Sequence, residues 1–346
     1  MDVSIALCTY NGEKFLREQL ESINQQSLLP AELVVCDDCS RDRTISILRE
    51  FEGQASFPVH IHQNDKNLGS TKNFEKAINL CRGDVIALSD QDDVWKPNKL
   101  QRLVEVLSYD PDAGYVFSNA ELVDEQLQPL GGLLWDSIKF TGESRENFYQ
   151  GKQLECFIKR HVVTGATMAF RKEIGQIAMP FPTSGNWIHD GWIALVSSSI
   201  GARGIPIDEP LIDYRQHSNQ QIGAPEPSKK RGDESINRRS LLERYQELKA
   251  KEQILFQSWE SRGLKILMAL PIVKNKLAEL KTQQPSHELL KNLKYLKRYE
   301  THFNNRRIIL TTRSPDRYRL IFLEAISGRY NQFSDSWRSL FRDLFL

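Results

Sequence analysis

The chain has 346 residues and a net charge of only +1, but the charge is unevenly placed: residues 1–228 carry 21 Lys and Arg against 32 Asp and Glu, and residues 229–346 carry 25 against 13. An acidic front argues against a nucleic-acid binder and suits an enzyme that holds metal, whereas a basic rear suits an anionic surface. The length allows one large domain with an appendage, or two domains.

Val3 to Leu7 reads as a buried strand entered without a basic leader, so no signal peptide is expected. The turn Cys8-Thr9-Tyr10-Asn11-Gly12 follows, then an amphipathic helix from about Glu13 to Gln26 with Phe15, Leu16, Leu20 and Ile23 on one face. Leu33 to Cys36 is a second strand ending in Asp37-Asp38, and a helix spans about Asp42 to Phe51. Cys36 and Cys39 have C-x-x-C spacing, but no second pair completes a zinc set. The five cysteines, an odd number, instead favour reduced thiols and the cytoplasm. Val59 to His62 is a third strand, Asn67 to Thr71 a turn, and Lys72 to Cys81 a helix. Strands alternating with helices of this length imply a mostly parallel sheet covered on both faces, with ligands bound outside the carboxyl ends of the strands.

The strand Val85 to Leu88 delivers Ser89-Asp90-Gln91-Asp92-Asp93-Val94-Trp95, three carboxylates within four residues. Like charges so close repel. A hard divalent cation that accepts oxygen ligands and keeps positions for phosphate would neutralise them, which makes the stretch a candidate metal-diphosphate site. The alternative is a solvated acidic turn that caps the helix beginning near Lys96-Pro97. A helix from about Lys99 to Leu107 and the strand Gly114 to Phe117 come next, followed by a looser segment, Gln128 to Gln153, punctuated by Gly131, Gly132, Gly142 and Gly151. Val162 to Phe170 resumes the sheet, with small residues at 164–167 that would let a ligand approach the backbone. Trp187-Ile188-His189-Asp190 opens a helix over Gly191 to Ile200, and Pro210 to Arg215 is a last strand ending in Gln216-His217.

The Pro-rich, charged stretch 224–232 reads as a linker between a domain over 1–223 and a basic helical region over 233–346. Helices are expected over Leu241 to Trp259, Leu264 to Leu280 with a break or kink at Pro271, Leu289 to Arg298, and Asp316 to Ile326. The apolar run from Ile266 to Val273 falls far short of the roughly 18 residues of a membrane span. Trp337, Leu340, Phe341, Leu344 and Phe345 fall on one helical face with Arg338 and Arg342 opposite. That pattern fits a helix lying in a membrane interface; the alternative is a helix packed back on the protein.

Taken in order, Cys8-Thr9-Tyr10-Asn11, Val34-Val35-Cys36-Asp37-Asp38-Cys39-Ser40, Asn67-Leu68-Gly69 with Lys72-Asn73, and Asp90-Gln91-Asp92-Asp93 resemble the inverting family-2 glycosyltransferases of the GT-A fold, over roughly residues 2 to 220. Ser89 to Trp95 and Tyr214-Arg215-Gln216-His217 resemble the bacterial rhamnosyltransferase-type branch that builds surface polysaccharide such as lipopolysaccharide O-antigen. The resemblance implies an α/β GT-A fold, a mostly parallel sheet flanked by helices, that transfers a sugar from a nucleoside diphosphate to a polysaccharide or lipid-linked oligosaccharide. Rhamnose as the sugar is implied by the same resemblance, whereas the reduced thiols, the basic rear and the C-terminal stripe point to a station on the cytoplasmic face of the inner membrane.

Carried over, Cys8, Thr9 and Tyr10 line the base and ribose, Glu13 touches the ribose, Asp38 accepts from the base's ring N–H, and Lys72 balances the diphosphate. Asp90 contacts the donor, Asp92, Asp93 and His217 hold Mg²⁺ or Mn²⁺, and Asp190 is the base that deprotonates the acceptor hydroxyl. Each has a structural alternative: Asp38, Glu13 and Asp190 as helix-end residues, Lys72 as a solvated lysine, His217 as a satisfied histidine. Trp187 and Trp192 are candidates to stack on a sugar ring, with core packing the alternative. Two positions depart from the family pattern, Cys39 where Gly is usual and Lys72 where Arg is frequent, and Lys lacks the two-point grip of Arg on phosphate. Rival readings are a non-catalytic carbohydrate-binding or scaffold protein, and a sugar nucleotidyltransferase, the latter disfavoured because no glycine-rich phosphate loop follows the first strand.

Overall fold

The computed structural model describes residues 1–159, 161–182, 188–218, 220, 267–276, 278, 287–311, 316–334, 339 and 343. They fall into two compact units, one built from Met1–Phe157, His161–Ser198 and Ala202–Pro227, the other from Ile158–Arg160, Ser199–Gly201 and Ser228–Leu346. The expected linker at 224–232 and the expected helix over Leu241 to Trp259 lie outside the described residues.

The first unit begins β1 (Val3–Thr9), α1 (Leu16–Asn24), β2 (Glu32–Asp37), α2 (Thr44–Glu52), β3 (Val59–Gln63), α3 (Ser70–Leu80) and β4 (Val85–Ser89). Ile5, Ala6, Leu7, Leu33, Val35 and Val85 to Leu88 are completely buried, the near-continuous apolar runs of strands covered on both faces. β3, β2, β1 and β4 are parallel neighbours, with Thr9 opposite Asp37 and Leu7 opposite Ser89. This level register brings the turns after three strands to one edge.

Beyond β4 the sheet turns mixed. β5 (Val94–Trp95), α4 (Lys99–Tyr109), β6 (Ala113–Val123), β7 (Pro129–Leu133), β8 (Met168–Arg171) and β9 (Arg203–Arg215) extend it to the order β3-β2-β1-β4-β8-β6-β9-β5, with β7 on β6. β8 runs antiparallel to β4 and β6, β6 and β9 are parallel, and β5 is antiparallel to β9. The strand expected over Val162 to Phe170 is confined to β8, because Gly165–Thr167 makes a 3₁₀ turn. The last strand starts seven residues before the expected Pro210, through Gly204 and Pro206, and its ladder absorbs the irregularity by register shifts against β6.

The segment expected to be loose is ordered. It holds β7, α5 (Leu134–Ser137), α6 (Glu143–Tyr149) and α7 (Gln153–Lys159). Trp135, Phe140 and Phe148 pack around Phe117 at centroid distances of 5.6, 5.7 and 5.5 Å. These tilted and edge-on contacts are the geometry aromatic quadrupoles favour. α8 (Lys172–Ala178) and α9 (His189–Ser199) complete the unit.

In the second unit, residues 267–276 are helical without interruption at Pro271, where a break or kink was expected. α10 (His287–Thr311) is longer than the helix expected over Leu289 to Arg298, whereas α11 (Asp316–Ile326) has the expected bounds, and α12 (Arg329–Phe333) follows. Leu289, Leu296, Phe303, Ile321, Tyr330 and Phe333 form its core. The stripe Trp337, Leu340, Phe341, Leu344 and Phe345 lies outside the described residues. Of that segment, Ser339 and Asp343 are helical and buried, and Asp343 accepts from Arg306 Nε at 2.8 Å and the Tyr330 hydroxyl at 2.7 Å. Among the described residues no helix is long and apolar enough to cross a membrane.

Candidate active site

The turns at the carboxyl edge are locked by side chains reaching across strands. Completely buried Asp37 accepts from the Thr9 hydroxyl at 2.9 Å and from Ser40 N at 3.0 Å. Asp38 accepts from Asn64 Nδ2 at 2.8 Å, Leu68 N at 2.7 Å and Gly69 N at 2.9 Å. Three of the roughly four acceptor positions of this carboxylate are therefore used to hold the 67–69 turn. Glu13 accepts from Arg43 N at 3.0 Å, at the start of α2, and not at the N-terminus of the helix that follows Glu13 itself.

Cys39 lies in this turn with φ of 67°, the left-handed region, which is why Gly suits the position. Its thiol donates to Asn64 O at 3.0 Å. Tyr10 is exposed and its backbone is clamped by Gln91, N–H to Oε1 at 2.8 Å and carbonyl to Nε2 at 3.1 Å. A Cβ on Gly12 would lie 2.3 Å from Gln91 Oε1, so any larger residue there would displace the Gln91 amide from the Tyr10 backbone. Thr9 is buried and Cys8 partly exposed, its thiol pushed up by burial first and then by neighbouring thiol and carboxylate groups.

The acidic stretch turns inward. Asp92 Oδ2 lies 2.9 Å from His217 Nε2, and the His217 ring packs on Phe15 at 4.8 Å. Asp93 is completely buried; its Oδ1 accepts from Arg215 N at 3.1 Å and its Oδ2 has no hydrogen-bond partner. Burial, then Asp92 and Asp190, push half-buried Asp90 up to about 7. Burial, then Asp92 and Asp90, raise Asp93 well above the usual range. Buried Arg215 braces the stretch, donating from Nε to Asp92 O at 2.7 Å and pairing with Glu18, its guanidinium 4.5 Å over Phe15.

Lys99, which the sequence reading passed over, is completely buried beside these acids. Its Nζ donates to Ala166 O at 2.6 Å and sits 3.5 Å over the Trp95 ring. Burial lowers its pKa well below the usual range, against the pull of Asp93 and Asp90. The signal was the spacing of Lys99, Leu103 and Leu107 on one face of α4, because Leu103 and Leu107 are completely buried.

Asp190 stands in the first turn of α9 and is 4% exposed. Its Oδ2 accepts from Gly165 N at 2.7 Å and its Oδ1 from Gly191 N at 2.5 Å, with His161 Nε2 at 3.4 Å from Oδ1. Burial raises the carboxyl, but the facing His161, with His189 and Gly191 N–H, outweighs burial and holds it below the usual value. His161 is raised in turn: Asp190 overcomes the effect of burial. His189 stacks on Phe74 at 3.8 Å, has neither ring nitrogen partnered, and is pushed by burial down to about 4, so it is neutral. A Cβ on Gly165 would meet His189 Nε2 at 2.8 Å, so the small-residue run seats the start of α9.

Trp192 is core: it is 2% exposed and its Nε1 donates to Ala178 O at 2.7 Å, which removes it as a sugar-stacking candidate. Trp187 lies outside the described residues. Lys72 Nζ is paired with Glu75 at 2.8 Å rather than left solvated. Among the described residues no three His, Cys, Asp or Glu side chains converge as a metal-holding group, so the expected ligands Asp92, Asp93 and His217 are not brought to one point. A Mg²⁺-type ion that keeps phosphate and water in its shell needs only one or two protein ligands. The Asp92–His217 pair could supply them, and the unpartnered Asp93 Oδ2 near the raised Asp90 carboxyl is an imbalance a cation would relieve.

A mixed sheet whose edge gathers acids and a histidine beside a helix-borne aspartate is an α/β arrangement of the kind found in nucleotide-sugar transferases. The glycosyl transferase family 2 model matches residues 4–176, half of the chain, and the chain belongs to that family. A dTDP-rhamnosyl transferase, RfbG, of Shigella flexneri is 28% identical over 233 residues, 63% of this chain and 74% of that protein. A putative teichuronic acid biosynthesis glycosyltransferase, TuaG, of Bacillus subtilis is 26% identical over 218 residues, 63% and 80% of the two chains. The fold is similar to that of S. aureus TarS residues 1–349 crystallised with UDP-GlcNAc, with a TM-score of 0.57 at 16% identity, covering 99% of this chain and 87% of the other.

Proposed function

We propose that this glycosyltransferase inverts the anomeric carbon of a nucleoside diphosphate sugar as it transfers the sugar to a cell-surface polysaccharide or lipid-linked oligosaccharide. Rhamnose is the sugar favoured by the Shigella flexneri relative's name. The observation that carries the reading is geometric: Asp190, 4% exposed at the start of α9, accepts from Gly165 N at 2.7 Å and faces His161 at 3.4 Å, a held carboxylate in the same unit as the strand-end acids Asp90, Asp92 and Asp93.

In this reading Asp190 takes the proton of the acceptor hydroxyl. That oxygen bonds the anomeric carbon from the face opposite the leaving group, and the carbon–oxygen bond to the diphosphate breaks with its electron pair leaving on the nucleoside diphosphate. His161 and Gly165 N–H fix the carboxylate's orientation. Cys8, Thr9 and Tyr10 flank the base and ribose, and Asp38, whose carboxylate mainly holds the 67–69 turn, has about one acceptor position for the base. Glu13 acts through the turn it caps, and Lys72 exchanges Glu75 for the diphosphate. Asp92 and His217 would hold a divalent cation, which would neutralise the diphosphate's charge.

The same reading takes residues 1–223 as the transferase domain, 224–232 as a linker and 233–346 as a basic helical region that contacts the anionic cytoplasmic face of the inner membrane. The test is a panel of nucleotide sugars offered to purified protein with and without Mg²⁺ or Mn²⁺. One donor is turned over by the wild type, and Asp190→Asn binds it without transfer. Normal turnover by that variant refutes the assignment.

A further inference from the structure

α10 and α12 frame a groove of about 350 Å³ whose walls include the aliphatic Leu290 and Leu293 and the cations Lys294, Lys297, Arg298 and Arg329. Lys294, Lys297 and Arg298 recur at i, i+3 and i+4 of one helix, and all are exposed. Neighbouring Lys291 is paired with Glu288 at 3.2 Å, and Arg329 with Glu324 at 2.6 Å. The three helix cations at the groove have no carboxylate partner among the described residues. Like charges at this spacing destabilise a helix, and an anion seated between them reverses the sign.

A second observation separates a lipid from a free anion. α11 exposes Tyr318, Phe322 and Ile326, at 60%, 65% and 65% and at i, i+4 and i+8, while Ile321 and Glu324 of the same helix are buried. Arg319 is exposed beside them, and Ile326 precedes the groove residue Arg329 by three positions. Bulky apolar side chains with arginine are what a bilayer interface accepts, and they offer nothing to a soluble phosphate.

We propose that the groove lined by Lys294, Lys297, Arg298 and Arg329 binds the phosphates of anionic lipid headgroups, with Tyr318, Phe322 and Ile326 entering the interface. The inference rests on the membrane contact proposed above and names its surface; it does not depend on the sugar-transfer reading.

Flotation of the full chain with phosphatidylcholine vesicles, with and without phosphatidylglycerol, tests it. The wild type binds only the anionic vesicles, and binding falls as salt rises. The combined variant Lys294→Gln, Lys297→Gln, Arg298→Gln loses about a hundredfold in affinity, roughly fivefold per cation. Phe322→Ser, on a different helix, loses roughly tenfold. Both variants keep wild-type donor turnover and far-ultraviolet dichroism, and excess inorganic pyrophosphate leaves vesicle binding intact. A triple variant that floats like the wild type overturns the groove, and a wild type that ignores anionic vesicles overturns the membrane contact itself. Tight binding of inorganic pyrophosphate that releases the protein from vesicles makes the groove a free-anion site and also overturns the proposal.

Discussion

Glu324 of the helical unit and Asp90 at the sheet edge are both carboxyls with a basic side chain nearby, yet Glu324 is held down at about 2 and Asp90 is pushed up to about 7. Burial raises both. At Glu324 it is outweighed by His302 at 2.6 Å, Arg329 at 2.6 Å and Asn305 at 2.6 Å, three donors for one carboxylate. At Asp90 burial is joined by Asp92 and Asp190, and Lys99 offsets only part of it. Arg306, Tyr330 and Asp343 repeat the matched pattern, and Asp93 repeats the unmatched one with an oxygen that has no partner. The same residue types make a scaffold where donors and acceptors balance, and a cluster of unrelieved charge, the proposed receiving site, where they do not.

Four substitutions or titrations sharpen this contrast, in falling order of expected effect. Asp190→Asn should lower transfer by roughly 10²–10⁴-fold, the usual worth of a general base, in steady-state assays, with donor affinity unchanged by calorimetry. Arg306→Ala leaves the buried Asp343 without its cation and should cost about 3–5 kcal/mol, read by urea unfolding.

Acid should act on the helical unit through Glu324. Its folded value lies below the ordinary carboxylate value of about 4.3, so its stabilisation is full above about pH 4 and is lost as pH falls towards 2, on the order of 3 kcal/mol. Glu324→Gln should remove that step from the acid-unfolding profile.

Asp90 has the opposite sign. A carboxyl raised to about 7 destabilises the ligand-free fold increasingly as pH rises from about 4, and fully above about 7. Asp90→Asn should therefore stabilise the ligand-free protein at pH about 8, on the order of 2 kcal/mol by thermal unfolding once solvent screening of this partly exposed group is allowed for, with the gain gone by about pH 4. A more stable but less active variant would mark the cluster as functional, not structural.

The parallel half of the sheet and the strand-end acids are legible because apolar runs and turns are local signals. β5, two residues long, and the first half of β9, with Gly204 and Pro206 in its ladder, carry no periodicity and depend on partners far along the chain. The ordered middle segment escapes for the same reason: its short helices are held by aromatic contacts to Phe117, not by helix propensity. At the site, Asp90, Asp92, Asp190 and His217 stand out by motif. The bracing of Asp93 by Arg215, the burial of Lys99 and the pairing of His161 with Asp190 arise only when segments about 30 to 120 residues apart meet. The loss of Trp192 to the core shows the converse, a residue whose chemistry suits a sugar but whose helix face points inward.

The most direct measurement is calorimetry of a nucleoside diphosphate binding to the wild-type protein with and without Mn²⁺ or Mg²⁺, repeated on Asp92→Asn. Binding that requires the cation, and is lost in the variant, is the expected result. Equal affinity with and without the ion would contradict the assignment of the acidic strand end to a metal-held diphosphate.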